Sequence, residues 1–180
     1  MSQRLRLFVA LDVPATVRAE LAAWCARVAP PGVRPVPADN LHLTLAFLGS
    51  RPRGEARAVA PLLTAVAAAH ALPALATCGA LWLPPRRPRV LTVGLVAVDE
   101  LMTLRAAVAA ALAATIGFEA EQRPFRPHVT VGRVARALRV APVALDPPPP
   151  LTFAARALTL YRSHTGAGGA RYEPLARAEM

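Results

Sequence analysis

The chain has 180 residues, enough for one domain or two small lobes on a shared core, with 54% hydrophobic and 18% charged residues. Nineteen prolines and ten glycines are scattered as punctuation, which excludes collagen-like and disordered architectures. The net charge is +10 and all 21 basic residues are arginine; such a field favours polyanions such as RNA, with GC-rich coding as the alternative source of the bias.

Arg4 to Val13 is a β-rich apolar run cut by Asp12, and it reads as a first strand rather than a signal peptide. Pro14 opens a helix to about Val28, whose apolar positions are Val17, Leu21, Trp24 and Val28. Cys25 falls inside that pattern as a small buried hydrophobe, and with Cys78 it forms neither a disulfide framework nor a zinc site. Prolines 30, 31, 35 and 37 then break the chain before a strand from Leu41 to Leu48, ended by Gly49 and Ser50.

A second helix is expected over Glu55 to Ala69, with Pro61 as the point where it would split or kink. Strands Leu75 to Leu83 and Arg89 to Val98 are joined by a turn carrying Pro84, Pro85 and Pro88. Asp99 is suited to N-cap a third helix running to about Thr115 and closed by Gly117. The Ala-rich part of that helix includes Arg105 and is too short to cross a membrane, so the cytoplasm is expected. His128 to Val134 is a further strand, and Pro147 to Pro150 a stiff linker. Strands Thr152 to Tyr161 and Tyr172 to Ala176 flank a glycine-rich loop, Gly166 to Gly169. The order predicts an α+β fold.

A faint doubling runs through this order. His42-Leu43-Thr44-Leu45 and His128-Val129-Thr130-Val131 are both strands of the form His-apolar-Thr-apolar. Strand side chains alternate, so each presents an imidazole and a hydroxyl about 7 Å apart on one face and buries the other. Histidine titrates near neutrality, so one imidazole can take a proton while the other gives one. The threonine hydroxyls can hydrogen-bond the non-bridging oxygens of a phosphate. Opening a cyclic phosphate in line needs a base for water on one side of phosphorus and an acid for the departing oxygen on the other. Two opposed histidines meet that need without a metal.

Competing chemistries are weaker. Neither histidine strand has a carboxylate or cysteine at ligand spacing, and no Gly-x-Ser-x-Gly elbow is present. His70 ends a helix and His164 sits in a late loop, and both read as solvent or cap residues. Phe47 and Arg133 each stand five residues beyond a motif histidine, where a regular strand would point them away. A bulge or turn at Gly132 would turn Arg133 back towards a phosphate, and strand twist would let Phe47 stack a base.

At these residues the sequence resembles the two-histidine (2H) phosphoesterases, in the branch of bacterial and archaeal RNA 2′,3′-cyclic phosphodiesterases, also named 2′-5′ RNA ligases. The resemblance covers nearly the whole chain. It includes the strand from Arg4 to Asp12, His42-Leu-Thr-Leu-Ala-Phe-Leu-Gly49, Pro88-Arg-Val-Leu91, Phe125-Arg-Pro-His-Val-Thr-Val-Gly-Arg133 and Gly168-Gly-Ala-Arg-Tyr172. It implies the LigT-like fold: residues 1–180 as one two-lobed domain, with two antiparallel sheets facing a central groove and helices outside. It also implies His42 as general acid, His128 as general base, Thr44 and Thr130 holding the phosphate, Arg133 adding charge and Phe47 bordering the nucleotide. No cofactor and no metal are implied. The expected product is a 2′-phosphate end, and reversal would join RNA ends through a 2′-5′ linkage. Thr92 departs from the branch, which often carries an aromatic residue there, and arginine is the only cation available to the groove. The alternatives keep the site and change its use: small cyclic nucleotides or 2′-5′ oligoadenylates as substrates, or non-catalytic binding of RNA ends. No oligomerisation signal is visible, which leaves a monomer as the default, and no membrane partner is expected.

Overall fold

Leu5, Leu7, Val9 and Leu11 are buried and alternate with Arg4, Arg6, Phe8 and Ala10, so the first strand turns an apolar face to the core and a second face to the groove. The computed structural model describes residues 3–166 and 169–180. Its elements are β1 (Arg4–Asp12), α1 (Ala15–Val28), β2 (Val33–Pro35), a short 3-10 turn (Ala38–Asn40), β3 (His42–Pro52) and α2 (Arg53–Ala69). They continue with β4 (Ala74–Leu83), β5 (Val90–Leu95), α3 (Asp99–Ile116), β6 (His128–Val134), β7 (Thr152–Ala154), β8 (Ala157–Gly166) and β9 (Gly169–Glu179).

The strands follow one hydrogen-bonded path, β7-β4-β5-β6-β3-β1-β8-β9, with β2 beside β6 and every pair antiparallel. The two halves, β7-β4-β5-β6 and β3-β1-β8-β9, are paired as strands at a single position, Leu43 with Val129. This is the expected α+β, two-lobed architecture, with the two antiparallel sheets joined edge to edge at one point. The motif strands β3 and β6 are the two that meet there.

Helix α2 lies against β8, β9, β3 and β1, and α3 packs on α2 and β3. Val59 and Leu63 of α2 and Leu101, Leu104, Val108 and Leu112 of α3 share one buried core with Leu7, Leu11, Leu43, Leu158 and Leu160. Each fully buried leucine contributes about 1.5–3 kcal/mol. Helix α1 packs on β6 and β2 and buries Val17, Leu21, Trp24 and Cys25. Among the described residues no helix is long and apolar enough to cross a membrane.

Several local expectations change. Helix α2 begins at Arg53 and continues through Pro61, which is exposed, so the Arg57 carbonyl left without a donor can be met by water. Strand β3 runs past Gly49 and Ser50 to Pro52 because Arg4 to Leu7 pair with it. Asp99 lies within the first turn of α3, where its charge suits the helix N-terminus, while Val98 is the N-cap; Gly117 closes the helix in the left-handed conformation. The expected strand from Thr152 is broken after Ala154: β7 pairs with β4, and β8 resumes at Ala157 to pair with β1 and β9. His164 lies inside β8, not in a loop. Gly166 and Gly169 are paired as strand residues, and Ala167 and Gly168 lie outside the described residues.

Candidate active site

Both motif strands keep strict alternation at first and then break it at the same place. His42 and Thr44 are half-buried while Leu43 and Leu45 are buried; His128 and Thr130 are half-buried while Val129 and Val131 are buried. Val9 and Ala10 pair with Ala46 and Thr44, so Leu45 is an extra residue in β3. Leu91 and Thr92 pair with Gly132 and Thr130, so Val131 is the corresponding extra residue in β6. Each bulge lies three residues beyond the histidine and reverses the alternation. Phe47 and Arg133 therefore return to the histidine face, where Phe47 is 61% exposed. Antiparallel register about Leu43 and Val129 sets His42 beside Thr130 and Thr44 beside His128. All six expected site residues are thus brought to one surface.

The imidazoles are held alike. His42 Nδ1 lies 2.7 Å from the Asn40 carbonyl and His128 Nδ1 2.7 Å from the Arg126 carbonyl, two residues upstream in each case. A carbonyl only accepts, so each Nδ1 carries the proton and each Nε2 is left for chemistry. Asn40 is itself held by its side-chain amide, which donates to the Ala170 carbonyl at 2.9 Å.

Their surroundings differ. His42 stacks on Phe8 at 4.8 Å between ring centroids and meets Tyr172 edge-on at 5.1 Å, with Tyr161 at 6.1 Å. Burial pushes its pKa down to about 4; the Asn40 carbonyl opposes this, the Arg133 charge adds to it, and Asp12 opposes it more weakly. Asp12 pairs with His42 across β1 and β3 and accepts hydrogen bonds from Thr159 (3.0 Å), Tyr161 (2.8 Å) and Arg177 Nε (2.8 Å). Burial and that carboxylate push the Tyr161 hydroxyl up, so it remains a donor to Asp12. Arg133 donates to the Tyr172 hydroxyl at 3.2 Å, which ties β6 to β9 across the groove. Among the described residues no stacked or edge-on ring accompanies His128.

Phe8, Asp12, Tyr161 and Tyr172 were not singled out by sequence reasoning, because β1, β8 and β9 bring them together over long separations. One signal was available: Asp12 interrupts an otherwise apolar strand. Thr92 is fully buried, pairs with Thr130 and donates to the Leu81 carbonyl at 3.0 Å, so its small side chain underlies the β6 end of the site. Cys25 is buried, its thiol is pushed up to about 11 by burial, and it donates to the Val131 carbonyl at 3.2 Å, beneath the β6 bulge. His70 is the C-cap residue of α2 and donates to the Val66 carbonyl at 2.9 Å. His164 pairs with Glu173 at 2.7 Å. Among the described residues no cluster of three or more His, Cys, Asp or Glu could hold a metal ion.

Aromatic rings, two imidazoles and two threonine hydroxyls share one surface, and comparison with known proteins gives the family. The model of the 2′-5′ RNA ligase superfamily matches residues 13–167. The RNA 2′,3′-cyclic phosphodiesterase of Escherichia coli K12 is 37% identical over 98% of this chain and 97% of its own length. Among solved structures, a Thermus thermophilus protein superposes with a TM-score of 0.84 at 29% identity, covering 97% of each chain. Escherichia coli LigT complexed with 3′-AMP superposes with a TM-score of 0.81 at 33% identity, covering 99% of each. The chain belongs to the 2′-5′ RNA ligase superfamily.

Proposed function

We propose that this protein is an RNA 2′,3′-cyclic phosphodiesterase that hydrolyses cyclic phosphate ends to 2′-phosphomonoesters, with His42 and His128 as a metal-independent acid–base pair. The observation that carries this reading is the matched pair of imidazoles, each with Nδ1 tied to a backbone carbonyl and Nε2 free, beside two threonine hydroxyls on one surface. The names of the relatives, RNA 2′,3′-cyclic phosphodiesterases from four organisms at 32–37% identity, support it.

In the proposed reaction His128 Nε2 takes a proton from water as the water oxygen bonds to phosphorus. The bond from phosphorus to the 3′ oxygen breaks, and His42 gives that oxygen its proton. Thr44, Thr130 and Arg133 hold the non-bridging oxygens, and Phe47 stacks the terminal base. A 5′ hydroxyl in place of water would attack the same cyclic phosphate, give its proton to His128 and expel the 3′ oxygen onto the proton of His42, leaving a 2′-5′ linkage; attack of the 3′ hydroxyl on that linkage runs the step backwards.

His42 is neutral at pH 7 in the free protein, so the acid role requires the substrate to raise its proton affinity. A phosphodiester anion about 4 Å away supplies about 4 kcal/mol at an effective dielectric constant of 20, or about a thousandfold in proton affinity. That offsets the effect of burial.

We take residues 1–180 to act as one monomeric, cytoplasmic domain with no cofactor. Small cyclic nucleotides would meet the same acid–base pair, and the E. coli LigT complex with 3′-AMP favours keeping them as a second substrate class. The test is incubation of an RNA oligonucleotide ending in 2′,3′-cyclic phosphate, with chelator present, followed by identification of the product. Conversion to the 2′-phosphate is expected; absence of conversion, or a 3′-phosphate product, contradicts the reading.

A further inference from the structure

Strands β1 and β8 pair only where Leu7 to Leu11 meet Leu158 to Arg162. Towards its beginning β1 carries on beside β3 alone, and β8 carries on beside β9 alone, so the sheet splits between them. A cavity of about 470 Å³ occupies this split, and Arg4, Arg6 and Arg162 line it together with Ser50, Ser163 and His164. Among the described residues no carboxylate lines it. Glu173 nearby is engaged by both Arg162 and His164. The Arg4 guanidinium reaches only Ser50, and Arg6 has no ion pair or side-chain hydrogen bond among the described residues. Two arginine charges are therefore left uncompensated at a polar crevice.

The crevice is in line with the catalytic surface. Arg4 and Arg6 share the face of β1 that carries Phe8 and Asp12. Phe8 stacks on His42 and lies 6.2 Å from Phe47, and Asp12 is paired with His42. Arg6 stands six residues before Asp12, which is about 20 Å at strand rise. A single nucleotide cannot span that distance. A stacked strand, advancing about 3.4 Å along its axis per nucleotide, covers it in about six nucleotides, and a more extended one in fewer.

We propose that the crevice between β1 and β8 is a binding subsite for the upstream phosphates of an RNA chain whose cyclic end lies at His42. It rests on the phosphodiesterase reading of the groove and assigns that site its substrate class: oligonucleotides of several residues over mononucleotides. Bases between the two points lie over Phe47, and Arg4 and Arg6 neutralise phosphates beyond it.

The test compares wild type with the Arg4→Gln/Arg6→Gln double variant, whose side chains are exposed and whose folding is checked by thermal melting. Turnover is measured on an eight-nucleotide cyclic-phosphate RNA and on a cyclic mononucleotide, and binding on the eight-nucleotide RNA ending in a phosphomonoester. In wild type the oligonucleotide should have a KM at least tenfold below that of the mononucleotide. The variant should raise the oligonucleotide KM about tenfold with kcat kept, and lower the salt slope of oligonucleotide binding by about 1.4 for two phosphates. Equal KM values for the two wild-type substrates, or oligonucleotide binding unchanged in the variant, would overturn the subsite. If wild type turns over neither substrate, the phosphodiesterase reading fails, and the binding arm still decides whether the crevice holds RNA.

Discussion

Strands β3 and β6 repeat one device and surround it differently. Each has a histidine with Nδ1 bound two residues upstream, a threonine two residues on, a bulge at the third position and a redirected side chain at the fifth. The fifth residue is an exposed aromatic ring in β3 and a guanidinium in β6. His42 packs against Phe8, Tyr161 and Tyr172 above the Asp12 network and is held neutral, whereas His128 lacks such rings among the described residues. Local sequence sets where the two imidazoles point, while packing from distant strands gives them different surroundings. One backbone device used twice makes a pair, and unequal surroundings allow the pair to divide the work of acid and base.

The largest expected effect removes either half. His42→Ala and His128→Ala should each lower kcat by about 10²–10⁴, as loss of a positioned acid or base does, and the double variant should be scarcely worse than either single one. Additive losses in a steady-state assay would separate the two histidines into independent roles. Next, Phe47→Ala should raise KM for an RNA end by about 5–100-fold through lost stacking, with kcat little changed. Arg133→Gln should instead lower kcat/KM for RNA and mononucleotide substrates together. If both substitutions produced the same kinetic change, the division between a base-stacking half and a charge-bearing half would fail.

A smaller effect is expected at the β6 bulge. A Cβ on Gly132 would stand 2.7 Å from Val33 Cγ1 and 3.4 Å from both Cys25 Sγ and Leu91 Cβ. Gly132→Ala should cost about 1–3 kcal/mol in denaturant unfolding and also weaken phosphate binding by displacing Arg133. The smallest is a slope. With His42 held at about 4 and an unfolded imidazole near 6.5, the unfolded chain binds more protons between these values, so acid lowers stability across that window. His42→Gln should flatten this part of the curve of melting temperature against pH, and an unchanged curve would mean that burial does not govern this imidazole.

Much of the site was legible because the motif is local. Alternation in a strand is enough to pair His42 with Thr44 and His128 with Thr130. The return of Phe47 and Arg133 was open, because a bulge is a property of two strands: Leu45 is an extra residue only against β1, and Val131 only against β5. Gly132 was the visible clue in β6, and no glycine marks the bulge at Leu45. Strand β2 is three residues long, carries prolines at and around it, and exists through its pairing with β6. The break between β7 and β8 has no glycine or proline to announce it; it arises because Thr152 to Ala154 pair with one half of the sheet and Ala157 onward with the other. The stiff proline run before it is docked by the Thr77 hydroxyl, which donates to the Pro149 carbonyl at 2.7 Å.

The most direct test of the divided pair is the pH dependence of kcat on a cyclic-phosphate RNA for wild type, His42→Ala and His128→Ala, the variants assayed at high enzyme concentration. The account predicts a bell for wild type, loss of the rising acid-side limb in His128→Ala, where the base is gone, and loss of the falling limb in His42→Ala, where the acid is gone. Loss of the same limb in both variants, or a full bell in either, would contradict it.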